Sequence, residues 1–239
     1  MRVLETHLLK KEIFLSLLNS ETLEVALKIL IETASYHLDI LNIKDSRDIN
    51  AFIATETQKI HRLAAELFID PALFEAYVSL KKDVTKSYSL IMETKSEFLK
   101  DFIKRFIDLY NIKTALRINY QAGTEALLER NLIDGGYIPG EEFVKPSTSP
   151  LLNNYRRIIQ EGIAQTEKDG NFAVLERQME DYLTELMRPA KYMFFGPEAV
   201  FGYCLAKENE LKRLHLILLA KLNNIPDSEV QERLTLSYA

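Results

Sequence analysis

The sequence has one cysteine and no tryptophan in 239 residues. A lone thiol, Cys204, excludes an intrachain disulfide framework and fits a reducing compartment such as the cytoplasm. Its apolar neighbours mark it as a packing residue before a nucleophile. Glycine and proline are scarce, at 8 and 7 residues, which suits a helix-rich globular protein more than a turn-dense one. No run approaches the roughly 18 uncharged apolar residues that a membrane-spanning helix needs. The start, MRVLETHLLKKEIF, scatters charge through its apolar positions and lacks a cleavage-site pattern, so it does not read as a signal peptide. Basic charge is not in excess: 30 Lys and Arg against 35 Asp and Glu leave a net charge of -5. That argues against a nucleic-acid binder, whose phosphate contacts need a basic face, and against adhesion to anionic lipid. Proteins are the partners that remain.

What the chain has is long helices. With 47% hydrophobic and 27% charged residues, it can fill one large or two modest domains. The most strongly marked stretch runs from Gly196 to Asn223. Gly196 suits an N-cap, Pro197 the first helical position and Glu198 the positive end of the dipole. Asn223, Asn224 and Pro226 stop the helix. Between them Val200, Phe201, Cys204, Leu205, Leu211, Leu214, Leu218, Leu219 and Leu222 recur at helical spacing. A charged belt, Lys207-Glu208-Asn209-Glu210 and Lys212-Arg213, interrupts this apolar run. The bland reading of such a belt is a solvated face, and Glu208 and Lys212 are spaced as a favourable ion pair. A similar helix spans Phe98 to Asn119, and Asn111-Ile112-Lys113 aligns with Glu210-Leu211-Lys212, which suggests a duplicated helical unit.

Elsewhere, helices are predicted over residues 2–18, 22–34, 47–68 and, opened by Asp70-Pro71, from 70 to about 95 with a break near 84–89. Ser96 caps the helix that runs to about Tyr120. A short helix over 125–130 precedes the turn-dense Asp134-Gly135-Gly136-Tyr137-Ile138-Pro139-Gly140. Lys145-Pro146-Ser147-Thr148-Ser149-Pro150 is the best linker. Helices over 151–168 and 172–187, an aromatic connection to Phe195, and a last helix over 228–236 capped by Asp227 complete the chain. Strand-like alternation is absent over any length, so the fold class is all-α. The expected division is a helical region with a shortened middle over 1–122, a connecting loop over 123–150 and a carboxyl-terminal helical unit over 151–239.

Catalytic and cofactor signals are missing. His7, His37, His61 and His215 are scattered, with neither a Glu-x-x-His pair nor a His-Glu-x-x-His site. Gly135-Gly136 lacks the Lys-Ser or Lys-Thr of a phosphate loop. Glu141 and Glu142 are adjacent and point apart on a helix. Tyr192, Phe194, Phe195, Phe201 and Tyr203 could grip a ligand but suit core packing better. No catalytic, cofactor or metal residues are assigned.

Residues 194–218, FFGPEAVFGYCLAKENELKRLHLIL, resemble the carboxyl-terminal signature of the C subunit of the V/A-type rotary ATPases, which is related to the d subunit of the vacuolar enzyme. FIDLYNIKTALR at 106–117 resembles the family's middle signature, and LLERNLIDGGYIPGEEF at 127–143 the segment after it. RVLETHLLKKEIFLSLL and ALKILIETASY resemble its first two helices. The resemblance implies a helical funnel of three similar units about a pseudo-threefold axis. Such a protein sits on the cytoplasmic face of the membrane proteolipid ring, receives the central stalk, and carries torque for proton or sodium transport without a nucleotide or ion site of its own. Only two units can be placed here, because Ser79 to Lys86 is too short to be a full copy of the third long-helix motif. The charged residues Lys113, Arg117, Glu208, Glu210, Lys212 and Arg213 are candidates either for partner contacts or for ion pairs within the chain. The other reading of the whole chain is an all-helical scaffold or regulatory protein that binds no stalk.

Overall fold

A computed structural model describes residues 6, 8–34, 36, 38–144, 149–193 and 196–238. Every regular element among them is helical, and there is no strand among the described residues. His7, His37, Lys145 to Thr148, Phe194 and Phe195, all named above, lie outside them. The chain packs as two compact units. One comprises Met1–Ile69, Arg188–Phe195 and Ala199–Ala239, and the other Asp70–Met187 with Gly196–Glu198.

In the first unit Leu8, Leu9 and Lys10 are non-helical and lead into α1 (Lys11–Leu18), which is followed by α2 (Leu23–Ala34). Of the helix predicted over 2–18, Lys11–Leu18 is helical and Leu8 to Lys10 are not, while residues 2–5 and 7 lie outside the described residues. At the α1–α2 turn the buried Ser20 donates its hydroxyl to Leu17 O at 2.7 Å, which closes the hairpin without leaving a buried polar group unpaired. The connection over 36–46 contains a short 3₁₀ turn, Leu38–Asn42. Next, α3 (Ser46–Leu67) opens on a reciprocal cap in which Asp45 accepts from the Arg47 and Asp48 amides and Asp48 accepts from Asp45, satisfying the free donors of the first turn. The core is closed by α12 (Pro197–Leu222), 26 residues long. Buried residues lie on nearly all its faces, including Phe201, Cys204, Leu211, Leu214, Ile217 and Leu218. Asn224, at φ 53, turns the chain out of α12 in the left-handed region that Asn tolerates. The last helix, α13 (Asp227–Gln231), packs on α1. It is shorter than the predicted 228–236, and Asp227 sits inside its first turn after an N-cap Pro226 that makes no side-chain bond.

The second unit is built on α6 (Glu97–Tyr120), 24 residues long and capped by Ser96 as predicted. Before it, α4 (Pro71–Ser79) and α5 (Val84–Met92) form a helical hairpin, joined inside by the buried Ser87 hydroxyl donating to Ala76 O at 2.8 Å. The break falls at residues 80–83, earlier than predicted, because Asp83 accepts the Lys86 amide and starts a new helix. After α6 come α7 (Glu125–Asn131), the turn-dense loop and the single turn α8 (Glu141–Val144). The predicted helix over 151–168 is two helices, α9 (Pro150–Ile158) and α10 (Gln160–Asp169), which meet at Ile159 with φ -108 and ψ 24. Finally, α11 (Ala173–Met187) packs on α10 and α6. A Cβ on Gly162 would run into the Leu175 main chain, so the close approach of α10 to α11 requires glycine there. The core of this unit is Leu109, Ile112, Ile138, Leu152, Tyr155, Ile159, Leu175 and Met179.

Candidate functional site

Each unit buries polar side chains on its long helix. On α12 Glu210 lies on the stripe 203, 206, 210, 214, 217, whose other members, Tyr203, Ala206, Leu214 and Ile217, are buried apolar or aromatic residues. It is only 4% exposed. Its carboxylate accepts the Leu9 amide at 2.7 Å and the Tyr36 hydroxyl at 3.2 Å, and forms an ion pair with Lys207. A carboxylate so enclosed needs such partners to offset its lost hydration. Through them Glu210 fixes the main chain before α1, although 201 positions separate Glu210 from Leu9. The Tyr36 hydroxyl is held strongly in its neutral form, first by burial and then by the charge of Glu210. Lys207 also lies 5.6 Å from the Tyr36 ring centroid. Three residues on from Glu210, the buried Arg213 stacks on the Phe14 ring at 3.5 Å from the centroid, an arrangement that suits the flat guanidinium.

The charged belt of α12 is therefore not one solvated face. Glu210 and Arg213 turn inward, Glu208 lies 3.5 Å from His61 of α3, and Lys212 is exposed. His215 is within 2.7 Å of Asn50 Oδ1, and burial lowers its affinity for a proton. Cys204 is fully buried, and its thiol is pushed up to about 12, first by burial and then by the charge of Glu208. A thiol in that state is an inert packing group.

On α6, Lys113 pairs with Glu176 of α11, and the Arg117 guanidinium lies 5.2 Å from the Phe172 ring centroid. Asn111, the residue aligned with Glu210, is also buried. Its side chain donates to Ile133 O at 2.8 Å and accepts from Ile133 N at 2.9 Å. Both long helices thus use one buried polar side chain at the aligned position to hold the main chain of a distant non-helical segment. One turn earlier, Asp108 is fully buried, accepting from Ile138 N at 3.0 Å and from the Tyr155 hydroxyl at 3.2 Å. Gly136 passes so close that a Cβ there would strike Asp108 Oδ1. Burial raises the Asp108 pKa to about 6 against the opposing pull of those hydrogen bonds. Nearby, Arg105 pairs with Asp101 at 2.9 Å and donates to the Tyr182 hydroxyl at 3.0 Å, while the Tyr137 hydroxyl donates to Asp101 at 2.7 Å.

The candidate residues accordingly divide by unit. Lys113 and Arg117 stand on α6 and contact α11 and Phe172, and Glu208, Glu210, Lys212 and Arg213 stand on α12 in the other unit. Sequence reasoning missed Asp108. Its signal was a carboxylate on the apolar stripe 108, 112, 115, where a buried acid must grip something. Of the aromatic cluster, Phe201 and Tyr203 are buried, Phe201 packing edge-on against Phe68, whereas Tyr192 is 73% exposed.

Among the described residues no group of three or more His, Cys, Asp or Glu side chains could hold a metal ion, and no helix is long and apolar enough to cross a membrane. The arrangement carries packing and anchoring, and its polar groups hold main chain in place.

Comparison with known proteins gives these features a setting. The model of the ATP synthase (C/AC39) subunit family matches residues 51–233. The C subunit of the V-type sodium ATPase of Enterococcus hirae is 28% identical over 150 residues, covering 59% of this chain and 45% of that protein. The C subunit of the A-type ATP synthase of Methanobrevibacter smithii is 22% identical over 210 residues, covering 82% of this chain and 53% of its own length. That of Methanosphaera stadtmanae is 25% identical over 157 residues, covering 59% and 40%. The chain therefore spans about half the length of these curated relatives. With more than half of its residues matched, including both long helices and the buried polar anchors they carry, the chain belongs to the ATP synthase (C/AC39) subunit family, the non-catalytic C subunits of V/A-type rotary ATPases.

Proposed function

We propose that the chain is a noncatalytic adaptor in the central rotor of a V/A-type ATPase or ATP synthase. In this role it joins the central-stalk proteins to the membrane proteolipid ring and passes torque between them, so that ATP turnover in the headpiece drives proton or sodium movement through the ring. It binds peripherally at the cytoplasmic face. Membership of the (C/AC39) family over residues 51–233 carries this reading. The packing supports it. A torque-bearing part has to resist shear, and closely packed helices of 24 and 26 residues do so because their cores have little free volume. The anchors at Glu210, Asn111 and Asp108 add stiffness by tying non-helical main chain to those helices. Among the six charged candidates, Lys212 is the exposed member of the α12 belt and the one we assign to partner contact.

The experiment is reconstitution of the purified chain with the purified stalk proteins of the same organism, followed by size-exclusion chromatography with light scattering. A one-to-one complex supports the adaptor. A folded chain that forms no complex, both alone with the stalk and in the presence of the ring, favours the scaffold reading.

A further inference from the structure

The unit built on α6 has an open groove of about 630 Å3 that no described residue fills. Its lining comes from α6, α8, α9 and α10, on both sides of the break at Ile159. Leu116, Phe143 and Ile163 form part of an apolar floor and stay only half-buried. The rim carries Arg156 and Arg157, both exposed. Among the described residues neither Arg156 nor Arg157 has an ion-pair partner, and Arg157 donates to the neutral Asn154 Oδ1 at 3.0 Å. In a chain of net charge -5, these two adjacent arginines place positive charge at the rim of a half-buried apolar floor. Glu167, the acid of the lining, lies seven residues beyond Gln160 on α10, about 10 Å along the helix axis.

We infer that this groove is a docking site for an amphipathic helix of a partner protein, with acidic residues at the end that meets Arg156 and Arg157. Charge complementarity selects the occupant. The arginines offer flat forks suited to carboxylates, and Glu167 disfavours a second acidic cluster two turns further on. The apolar floor takes the helix's apolar stripe, the helix-in-groove mode of recognition. Addition of an extended strand needs a sheet edge, and there is none among the described residues. The inference goes beyond the rotor reading and concerns a surface within one unit, so it stands or falls separately from stalk binding.

The test is fluorescence anisotropy with the full chain and three fluorescein-labelled helical peptides. The first has a Leu and Ala stripe with two Glu at one end. The second has Lys in place of those Glu, and the third is the first peptide scrambled to remove the stripe. Binding of the first peptide alone is expected, weakened tenfold or more by R156E/R157E. Since both arginines are exposed, the circular dichroism spectrum and melting curve of that variant should be unchanged. The Lys peptide should gain binding to R156E/R157E, a charge-swap rescue that a general loss of structure would not produce. Equal binding of the Glu and Lys peptides, binding of the scrambled peptide, undiminished affinity in R156E/R157E, or no binding of the first peptide would each overturn the proposal.

Discussion

Removing the Glu210 carboxylate should destabilise the unit around α12 far more than a surface charge would. In Glu210→Ala the Leu9 amide loses its acceptor, the Tyr36 hydroxyl loses its partner, and Lys207 is left beside a buried gap. A buried donor stripped of its acceptor costs about 1–3 kcal/mol, and breaking a buried ion pair by deleting one member costs about 3–5 kcal/mol. These overlap in one network and do not add in full, so about 4 kcal/mol is expected. For a chain of this size, with about 2–4 °C of Tm per kcal/mol, the melting midpoint should fall by roughly 8–16 °C. Glu210→Gln, which keeps one acceptor and the shape, should cost about half as much. Lys212→Ala, on the exposed side of the same belt, should stay within about 0.5 kcal/mol. Urea unfolding at neutral pH measures the free energies, and amide exchange at Leu9 reports the anchor directly. The Glu210→Ala loss should persist at high salt, because a buried pair is little screened. A loss under about 1 kcal/mol, or one that salt abolishes, would refute the anchoring role.

Other outcomes follow from the same packing. Asp108 keeps its proton to about pH 6 when folded and loses it near 3.8 when unfolded. The folded state thus binds the extra proton between those values, and stability should decline as pH rises through that window, by about 3 kcal/mol at most, then level off. Urea midpoints between pH 4 and 7.5 should show this slope in the native chain and not in Asp108→Asn. Gly136→Ala should cost about 1–3 kcal/mol by driving a Cβ against Asp108, and thermal melts should show a smaller cost in an Asp108→Ala background. Cys204 should resist a thiol-specific reagent in the native chain and react at once in urea, since it is buried and its pKa is raised to about 12.

The long helices were legible because their signals are local. Ser96 and Asp70 cap in the predicted manner, and the apolar spacing of α6 and α12 admits no strand. What was illegible depends on partners far away in sequence. Leu8 to Lys10 read as helix, yet the Leu9 amide is claimed by Glu210. The break at Ile159 falls at no Gly or Pro, so no local breaker marks it. The α12 belt read as a solvated face because residue type alone does not reveal which acids are enclosed. Here the informative pattern was position, with Glu210 and Asp108 on otherwise apolar stripes. The match of Asn111 with Glu210 was visible in the sequence, but its meaning, two side chains that each tie down distant main chain, required the packing.

The most direct test of the central claim is the mass of the complex that the purified chain forms with the purified central-stalk proteins of the same organism. A rotor adaptor gives a one-to-one complex, and that complex adds the membrane ring when ring is supplied. A folded, helical chain that binds neither stalk nor ring, singly or together, would contradict the adaptor role.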